Sequence, residues 1–356
     1  RASLVLVLAL ASGLVAPARA AEKANIGLIT VEGPLKERAG EMAGLFGGAG
    51  KGSTTLRQLV QTLNKIATRT DLDGVMIRLK EPSMSISQIE ELGAAIKAVR
   101  GSGKKVHLYA YGYDTPQLVL GSYCDEVIVQ TGGDVSLPGM HMEEMFLADT
   151  LAWVGAKPDF VQVGDYKGAS EMMANNKPSK QWDENINGLL DGLYARVRDQ
   201  IKAGRKLDDA KLDAAMSDSI FGMAPEAKKA GLVDSIVDLP ELSSHLQASY
   251  GRGITWEDDL VPDSGGPRLD PANPFAMLTM FMTKPERKAT RDTIAVVHID
   301  GAIVDGDSTG GGPFGGESSV GSLTIRRALT AIEESKHVKG GVVRINSPGG
   351  SAIPRG

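Results

Sequence analysis

The feature that most constrains the fold is an internal repeat that relates two distant parts of the chain. Residues 26–35 and 294–303 are both aliphatic strand-like runs that contain an acidic residue followed by glycine. Each run is followed by a glycine-rich loop and then by apolar residues at helical spacing. A second aliphatic run comes next, at 74–79 in the first copy and 341–345 in the second, and its next-to-last residue is an arginine. Similarity over this length predicts a duplicated strand–helix–strand unit.

Strand and helix patterns also alternate between the two copies. Further strands are predicted at 106–111 and 126–130, and Ser179 is a candidate N-cap for a long amphipathic helix at 182–203. A second helix is predicted at 87–99, where Ser87 and Glu90 have the spacing of a capping box. This alternation predicts an α/β fold with a parallel sheet and crossover helices.

Composition narrows the range of functions. Of the 356 residues, 42% are hydrophobic and 23% are charged, and the net charge of −5 is spread over both signs. This pattern is typical of a globular protein and gives no basic surface for nucleic acid. Cys124 is the single cysteine, and the five histidines do not pair at metal-ligand spacing. The sequence therefore predicts no intrachain disulfide, no metal and no cofactor.

The N-terminal residues have the pattern of an export signal. An apolar run at 4–15 precedes Pro17 and the small-x-small sequence Ala18-Arg19-Ala20. The run is shorter than the roughly 20 residues that span a bilayer, which favours a cleaved signal peptide over an anchor, although retention as an anchor stays open. Either alternative places the remainder of the protein outside the cytoplasm.

The predicted domain order follows from these patterns. Residues 1–20 form the signal peptide or anchor, residues 21–250 the first domain, and residues 292–356 the start of the second domain. Residues 251–291 are predicted to be a linker, because 262–274 are rich in proline, glycine and aspartate. The apolar stretch 275–282 within it is too short to span a membrane.

The two copies differ at the end of their second strands. In the second copy this strand leads into Asn-Ser-Pro-Gly-Gly at 346–350, whereas the first copy has Lys-Glu-Pro-Ser-Met at 80–84. Gly349 and Gly350 leave their backbone N–H groups uncovered by a Cβ, and such amides can stabilise a developing oxyanion. Ser-Pro-Gly-Gly is also a common turn sequence, so the turn alone does not establish a catalytic site.

Three motifs, together with the repeat, resemble the long, tandem-domain form of the signal peptide peptidase A family. They are Arg-Ile-Asn-Ser-Pro-Gly-Gly-Ser at 344–351, Val-Gly-Asp-Tyr-Lys-Gly-Ala-Ser-Glu at 163–171, and Ala-Lys-Lys-Ala-Gly-Leu-Val-Asp at 227–234. This family consists of membrane-associated serine proteases. The resemblance implies an α/β fold of tandem crotonase-like (Clp-peptidase-like) repeats, with the second repeat incomplete in this chain.

The resemblance also implies roles for individual residues. Lys167 would be the general base, and the backbone amides of Gly349 and Gly350 would stabilise the oxyanion. A lysine can accept a proton only when it is neutral, which burial favours, and the neighbouring Val161, Val163 and Tyr166 are compatible with partial burial. Gly168 departs from the serine that the family more often has at this position.

The nucleophilic serine of the family lies downstream of the glycine turn, on an Ala-Ser-Gly-Gly segment that residues 1–356 do not contain. Ser347 and Ser351 belong to the turn and are not that nucleophile. The proline at 354 also departs from the helix with which the family continues. We therefore expect this chain to lack the nucleophile and to be inactive alone.

The function implied by the resemblance is that of a serine endopeptidase that degrades cleaved signal peptides with a Ser-Lys dyad. Its substrates would be extended peptides with small side chains, and it would be a homo-oligomer at the periplasmic face of the inner membrane, without a cofactor or nucleic acid. A non-catalytic peptide-binding or assembly fragment is an alternative. A crotonase-type acyl-CoA enzyme is a further alternative that export and the Tyr166-Lys167 motif disfavour.

Overall fold

A computed structural model of the chain describes residues 23–37, 54–218, 222–258, 260–261, 289–309 and 319–350. The predicted export signal and the apolar stretch 275–282 lie outside the described residues, as do most of both glycine-rich loops. Within the described residues, no helix combines the length and apolarity that crossing a bilayer requires.

The first unit is built on a six-stranded parallel sheet, which confirms the predicted α/β fold. The strand order is β7-β4-β3-β2-β1-β8, and every neighbouring pair is parallel. The strands of this unit are β1 (Ala24–Pro34), β2 (Gly74–Ser83), β3 (Lys105–Ala110), β4 (Glu126–Val129), β5 (Asp134–Val135), β6 (Gly222–Met223), β7 (Ser235–Ile236) and β8 (Ile254–Glu257).

Nine described helices belong to the first unit, and they cover the two faces of its sheet unequally. Alternate residues of each strand point to opposite faces. The larger core packs one face of the central strands against α1, α2 and α3, whereas α9 covers the other face. The helices are α1 (Leu56–Thr68), α2 (Ile86–Gly101), α3 (Thr115–Gly121), α4 (Ala148–Trp153), α5 (Glu171–Ala174), α6 (Lys180–Arg205), α7 (Asp209–Asp218), α8 (Ala224–Lys229) and α9 (Leu242–Tyr250).

The N-termini of two helices test the predicted caps. Ser179 caps α6 as predicted, since its Oγ accepts a hydrogen bond from the Trp182 N–H at 3.0 Å. The predicted capping box of Ser87 with Glu90 is wrong, because α2 begins at Ile86 and its box is formed by Ser85 with Gln88. Ser85 and Ser87 are both possible N-caps of this helix. With Ser85 as the N-cap, the side-chain amide of Gln88 reaches the buried carboxylate of Glu37.

The second unit repeats the arrangement of β1, α1 and β2. Its elements are β9 (Thr293–Asp300), β10 (Ala302–Val304), β11 (Ser319–Gly321), α10 (Ser322–Glu334) and β12 (Val338–Asn346). Strand β12 is parallel to β9, as β2 is parallel to β1, and α10 lies between these strands in the chain. The strand–helix–strand repeat predicted from the sequence is therefore present in both units.

The boundary of the first unit lies further along the chain than residue 250. Strand β8 pairs with β1 in parallel from Ala24↔Ile254 to Gly27↔Glu257. Arg69 then joins the two parts through an ion pair with Glu257 at 2.6 Å. The first residues of the predicted 251–291 linker are therefore an edge strand of the first sheet.

Candidate active site

The end of strand β12 is held in a defined position before the glycine turn begins. The Nδ2 of Asn346 donates a hydrogen bond to Asp300 Oδ1 at 2.8 Å, and the Gly301 N–H donates to the Asn346 carbonyl at 2.9 Å. At the same register of the first unit, Lys80 forms an ion pair with Glu32 at 3.4 Å. The two copies therefore use different chemistry at the point where their turns diverge.

The glycine turn itself packs against the neighbouring strand β10. Gly349 and Gly350 have φ values of +104° and +155°, which L-residues with a side chain rarely adopt. The Ile303 N–H donates a hydrogen bond to the Gly349 carbonyl at 2.9 Å, and a Cβ on Gly350 would overlap the Ile303 carbonyl oxygen. Glycine is therefore required at 350 by close backbone packing as well as by conformation.

The two predicted oxyanion donors are not equivalent in this structure. The Gly349 N–H donates a hydrogen bond to the Oγ of Ser347 at 3.1 Å. The Gly350 N–H donates no hydrogen bond to any described residue. Within the described residues, the Gly350 amide is therefore without an internal partner, whereas the Gly349 amide must exchange the Ser347 hydroxyl for a ligand oxygen.

Lys167 lies at the start of a short 3-10 turn, Gly168–Ser170, which leads into α5. Its backbone N–H donates to the Gly164 carbonyl at 3.2 Å, and its side chain contacts solvent without a hydrogen-bond or ion-pair partner among the described residues. The partial burial that these neighbours would allow is not present in the structure, because Val163 is 83% exposed and Tyr166 is 58% exposed. Among the described residues, none covers the Lys167 side chain to supply the desolvation that a lysine base requires.

The chain just after Lys167 is nevertheless firmly attached to α6. The carboxylate of Glu171 is 6% exposed and accepts hydrogen bonds from the Ser179 N–H at 2.8 Å, the Ser179 hydroxyl at 2.7 Å and the Asn175 amide at 3.2 Å. Lys167 is therefore exposed at the tip of a segment whose base is fixed.

Packing explains the glycine found where the family more often has serine. A Cβ on Gly168 would lie 2.8 Å from Cδ1 of Trp182, which is too close without movement of the indole. The Trp182 ring is in turn in edge contact with Phe146, with ring centroids 5.7 Å apart. The indole thus occupies the space that a side chain at 168 would take.

Arg344 joins the glycine-turn strand to the first unit through a contact that no local sequence pattern indicates. Arg344 of β12 binds Glu37 Oε2 at 2.6 Å and Glu91 Oε2 at 2.8 Å. Burial alone would raise the pKa of the Glu37 carboxyl, but hydrogen bonds from Arg344 and Gln88 lower it below its usual value. Glu37 and Arg344 are 307 residues apart, and no local pattern indicates such a pairing.

A separate polar network lies on the face of the first sheet that α9 covers. Glu126 Oε2 is 2.7 Å from His107 Nδ1, and its Oε1 accepts from Ser235 at 2.8 Å and is 2.7 Å from His245 Nε2. Burial acts to raise the pKa of Glu126, but these hydrogen bonds lower it to about 2. Three His, Cys, Asp or Glu side chains do not converge as metal ligands anywhere in the described ranges.

The chain is similar to a peptidase family model and to several known proteases. Residues 98–251 match the family model of Peptidase family S49. The chain is 28% identical to Protease 4 of Haemophilus influenzae over 272 residues, which cover 74% of this chain and 41% of that protein. It is 25% identical to the chloroplastic serine protease SPPA of Arabidopsis thaliana over 305 residues, covering 84% of this chain and 42% of that protein.

Protease 4 of Salmonella typhi is 24% identical over 348 residues, covering 94% of this chain and 52% of that protein. The chain thus spans about half the length of these curated relatives.

Proposed function

Because the chain is a member of the signal peptide peptidase A family, we propose that it is part of a serine endopeptidase that degrades cleaved signal peptides with a Ser-Lys dyad. The observation that carries the proposal is the glycine turn at 349–350, which combines an unoccupied amide with a backbone that admits only glycine. An open amide at the end of a strand is what stabilisation of a tetrahedral oxyanion requires.

The proposed chemistry assigns one step to each part of the site. Neutral Lys167 Nζ removes the proton of a serine hydroxyl, and the serine oxygen attacks the carbonyl carbon of the scissile peptide bond. The amides of Gly349 and Gly350 stabilise the resulting oxyanion, and the lysine then returns the proton to the leaving amine. Ser347 must release the Gly349 N–H as the oxyanion forms.

We place the nucleophilic serine downstream of the glycine turn, where the family pattern has it. The predicted export signal at 4–15 supports a periplasmic or membrane-attached location, which we also propose.

Lys167 becomes a base only when another surface covers it. The exposed side chains of Val161, Val163 and Tyr166 adjoin it, and removal of this surface from water would be favourable. We propose that a homo-oligomer and the bound peptide, in an apolar groove that accepts small side chains, provide the cover. Desolvation of Lys167 would then coincide with assembly and with substrate binding.

Two observations favour a non-catalytic role in peptide binding or assembly for this chain. Lys167 is exposed, and Ser347 occupies one of the two candidate oxyanion amides. Both are expected of a resting catalytic site as well, so this alternative is second. No observation in the structure favours acyl-CoA chemistry.

Hydrolysis of a signal-peptide substrate tests the proposal. The protein extended downstream through the serine segment is compared with its Lys167→Ala variant and with Lys157→Ala as a matched control, since Lys157 is an exposed lysine ten residues away. We expect Lys167→Ala to reduce cleavage to a small residual rate and Lys157→Ala to leave it unchanged. Full activity of Lys167→Ala would refute the dyad, and cleavage by the 356-residue chain alone would refute the placement of the serine.

A further inference from the structure

Arg344 connects the strand of the glycine turn to the first unit through two carboxylates. It lies in β12, two residues before the end of the strand, and its side chain is 34% exposed. Its Nε binds Glu37 Oε2 at 2.6 Å, and its Nη1 binds Glu91 Oε2 at 2.8 Å. A planar guanidinium that uses two of its nitrogens on two separate carboxylates fixes orientation as well as distance.

Both carboxylates are attached to packed parts of the first unit. Glu37 is 6% exposed, and its other oxygen accepts a hydrogen bond from Gln88 Nε2 at 2.9 Å. The same nitrogen donates to the Leu35 carbonyl at 3.1 Å, so the chain around Glu37 is tied to α2. Glu91 lies on α2 itself, which is anchored by the buried Ile89 and Leu92.

The equivalent arginine of the first unit makes no comparable contact. Arg78 is paired in register with Thr30 of β1, as Arg344 is paired with His298 of β9. The Nε of Arg78 is buried without a hydrogen-bond partner within the described part of the chain. The arginine position is therefore shared by the repeat, but only the second copy uses it to join the two units.

We infer that Arg344, held by Glu37 and Glu91, is a positioning residue that fixes the glycine turn relative to the first unit, which carries Lys167. The geometric part of this inference is independent of the proposed function, whereas its effect on turnover rests on that function. Removal of Arg344 would leave the buried carboxylate of Glu37 without its cation, so the junction between the units would loosen.

Distance measurement between the two units tests the geometric part. Spin labels are placed on cysteines introduced at Ala98 of α2 and Thr330 of α10, both exposed, while the native Cys124 is buried. We expect a narrow distance distribution in the parent chain, which Arg344→Gln and Glu37→Gln broaden. Arg344→Lys should give an intermediate width, since an ammonium cannot bind both carboxylates in the same fixed geometry.

The adjacent residues Glu90 and Glu91 provide a matched pair of variants. Both lie on α2, but Glu90 binds Arg196 of α6 at 2.6 Å, within the first unit. We expect Glu91→Gln to broaden the distribution and Glu90→Gln to leave it unchanged. An unchanged distribution in Arg344→Gln and Glu91→Gln, or equal broadening by Glu90→Gln, would overturn the inference. Melting curves of each full-chain variant identify any variant that fails to fold.

Kinetics of the full-length peptidase test the catalytic part. A displacement of the turn by about 1 Å would lower kcat by up to about 100-fold in Arg344→Gln, with KM nearly unchanged. An unchanged kcat, or a change in KM alone, would contradict a positioning role. If the unmodified protein has no peptidase activity but its distance distribution is narrow, the proposed function fails while the geometric inference is upheld.

Discussion

At the scale of single residues, Gly350 is the most tightly constrained position of the candidate site. Its φ of +155° and its contact with the Ile303 carbonyl both exclude a side chain. The sequence indicated that glycine was needed for open amides, but packing against β10 could not be predicted from it. The reason is that β10 and the turn are far apart in the chain and meet only in the folded structure.

Gly350→Ala should therefore loosen the turn. An added methyl group in this closed space would destabilise the second unit by about 1–3 kcal/mol. Hydrogen exchange of the Ile303 N–H, which is bonded to the Gly349 carbonyl, should accelerate. Gly341→Ala in the same strand β12 is the control, because the nearest heavy atom to its added Cβ lies at 4.0 Å. Equal exchange rates in both variants would show that the turn is not held by β10.

Cys124 gives a second test at this scale. Its side chain is buried, and burial raises the pKa of the thiol to about 12. The thiolate is the reactive form, so iodoacetamide at pH 8 should leave the folded protein unmodified and should alkylate the unfolded protein. Alkylation is measured by mass spectrometry, and rapid alkylation under native conditions would contradict the burial of Cys124.

At the scale of elements, local patterns predicted the fold well and the contacts between elements poorly. The strand–helix alternation, the repeat and the Ser179 cap all depend on neighbouring residues, and each is present. The choice of Ser85 over Ser87 depends on what Gln88 reaches inside the fold. The exposure of Lys167 likewise depends on which surfaces face it, which neighbouring residues do not determine.

Glu171 should stabilise the segment that follows Lys167. Its carboxylate accepts three hydrogen bonds, so Glu171→Gln would place an N–H₂ group opposite at least one donor. We expect a loss of about 1–3 kcal/mol in stability and faster proteolysis after Lys167. The control is Glu184→Gln, which removes only the exposed hydrogen bond from Tyr166. Identical proteolysis rates for the two variants would contradict this role.

The network around Glu126 predicts how stability depends on pH. Its pKa is lowered to about 2 in the folded state from an ordinary value of 4.5, so the charged carboxylate stabilises the fold above about pH 4.5. This contribution is lost as the pH falls from about 4.5 toward 2. Urea unfolding at pH 6 and pH 3 should show a smaller decrease in Glu126→Gln than in the parent chain. An equal decrease would show that other carboxylates cause the acid sensitivity.

At the scale of the whole molecule, the candidate catalytic groups lie on two different units. Lys167 belongs to the first unit and the glycine turn to the second, and Arg344 joins β12 to Glu37 and Glu91. The duplication explains this division, because both units share one fold and only the second keeps the paired glycines. We propose that Lys167 and the glycine turn act on the same peptide bond.

The most direct test of this claim is a double-mutant cycle on signal-peptide hydrolysis by the full-length protein. Lys167→Ala, Gly350→Ala and the double variant are compared in kcat/KM after each is shown to fold. Residues that act as one catalytic unit are strongly non-additive, so the double variant should be no slower than Lys167→Ala alone. Losses that multiply independently would contradict a shared active site.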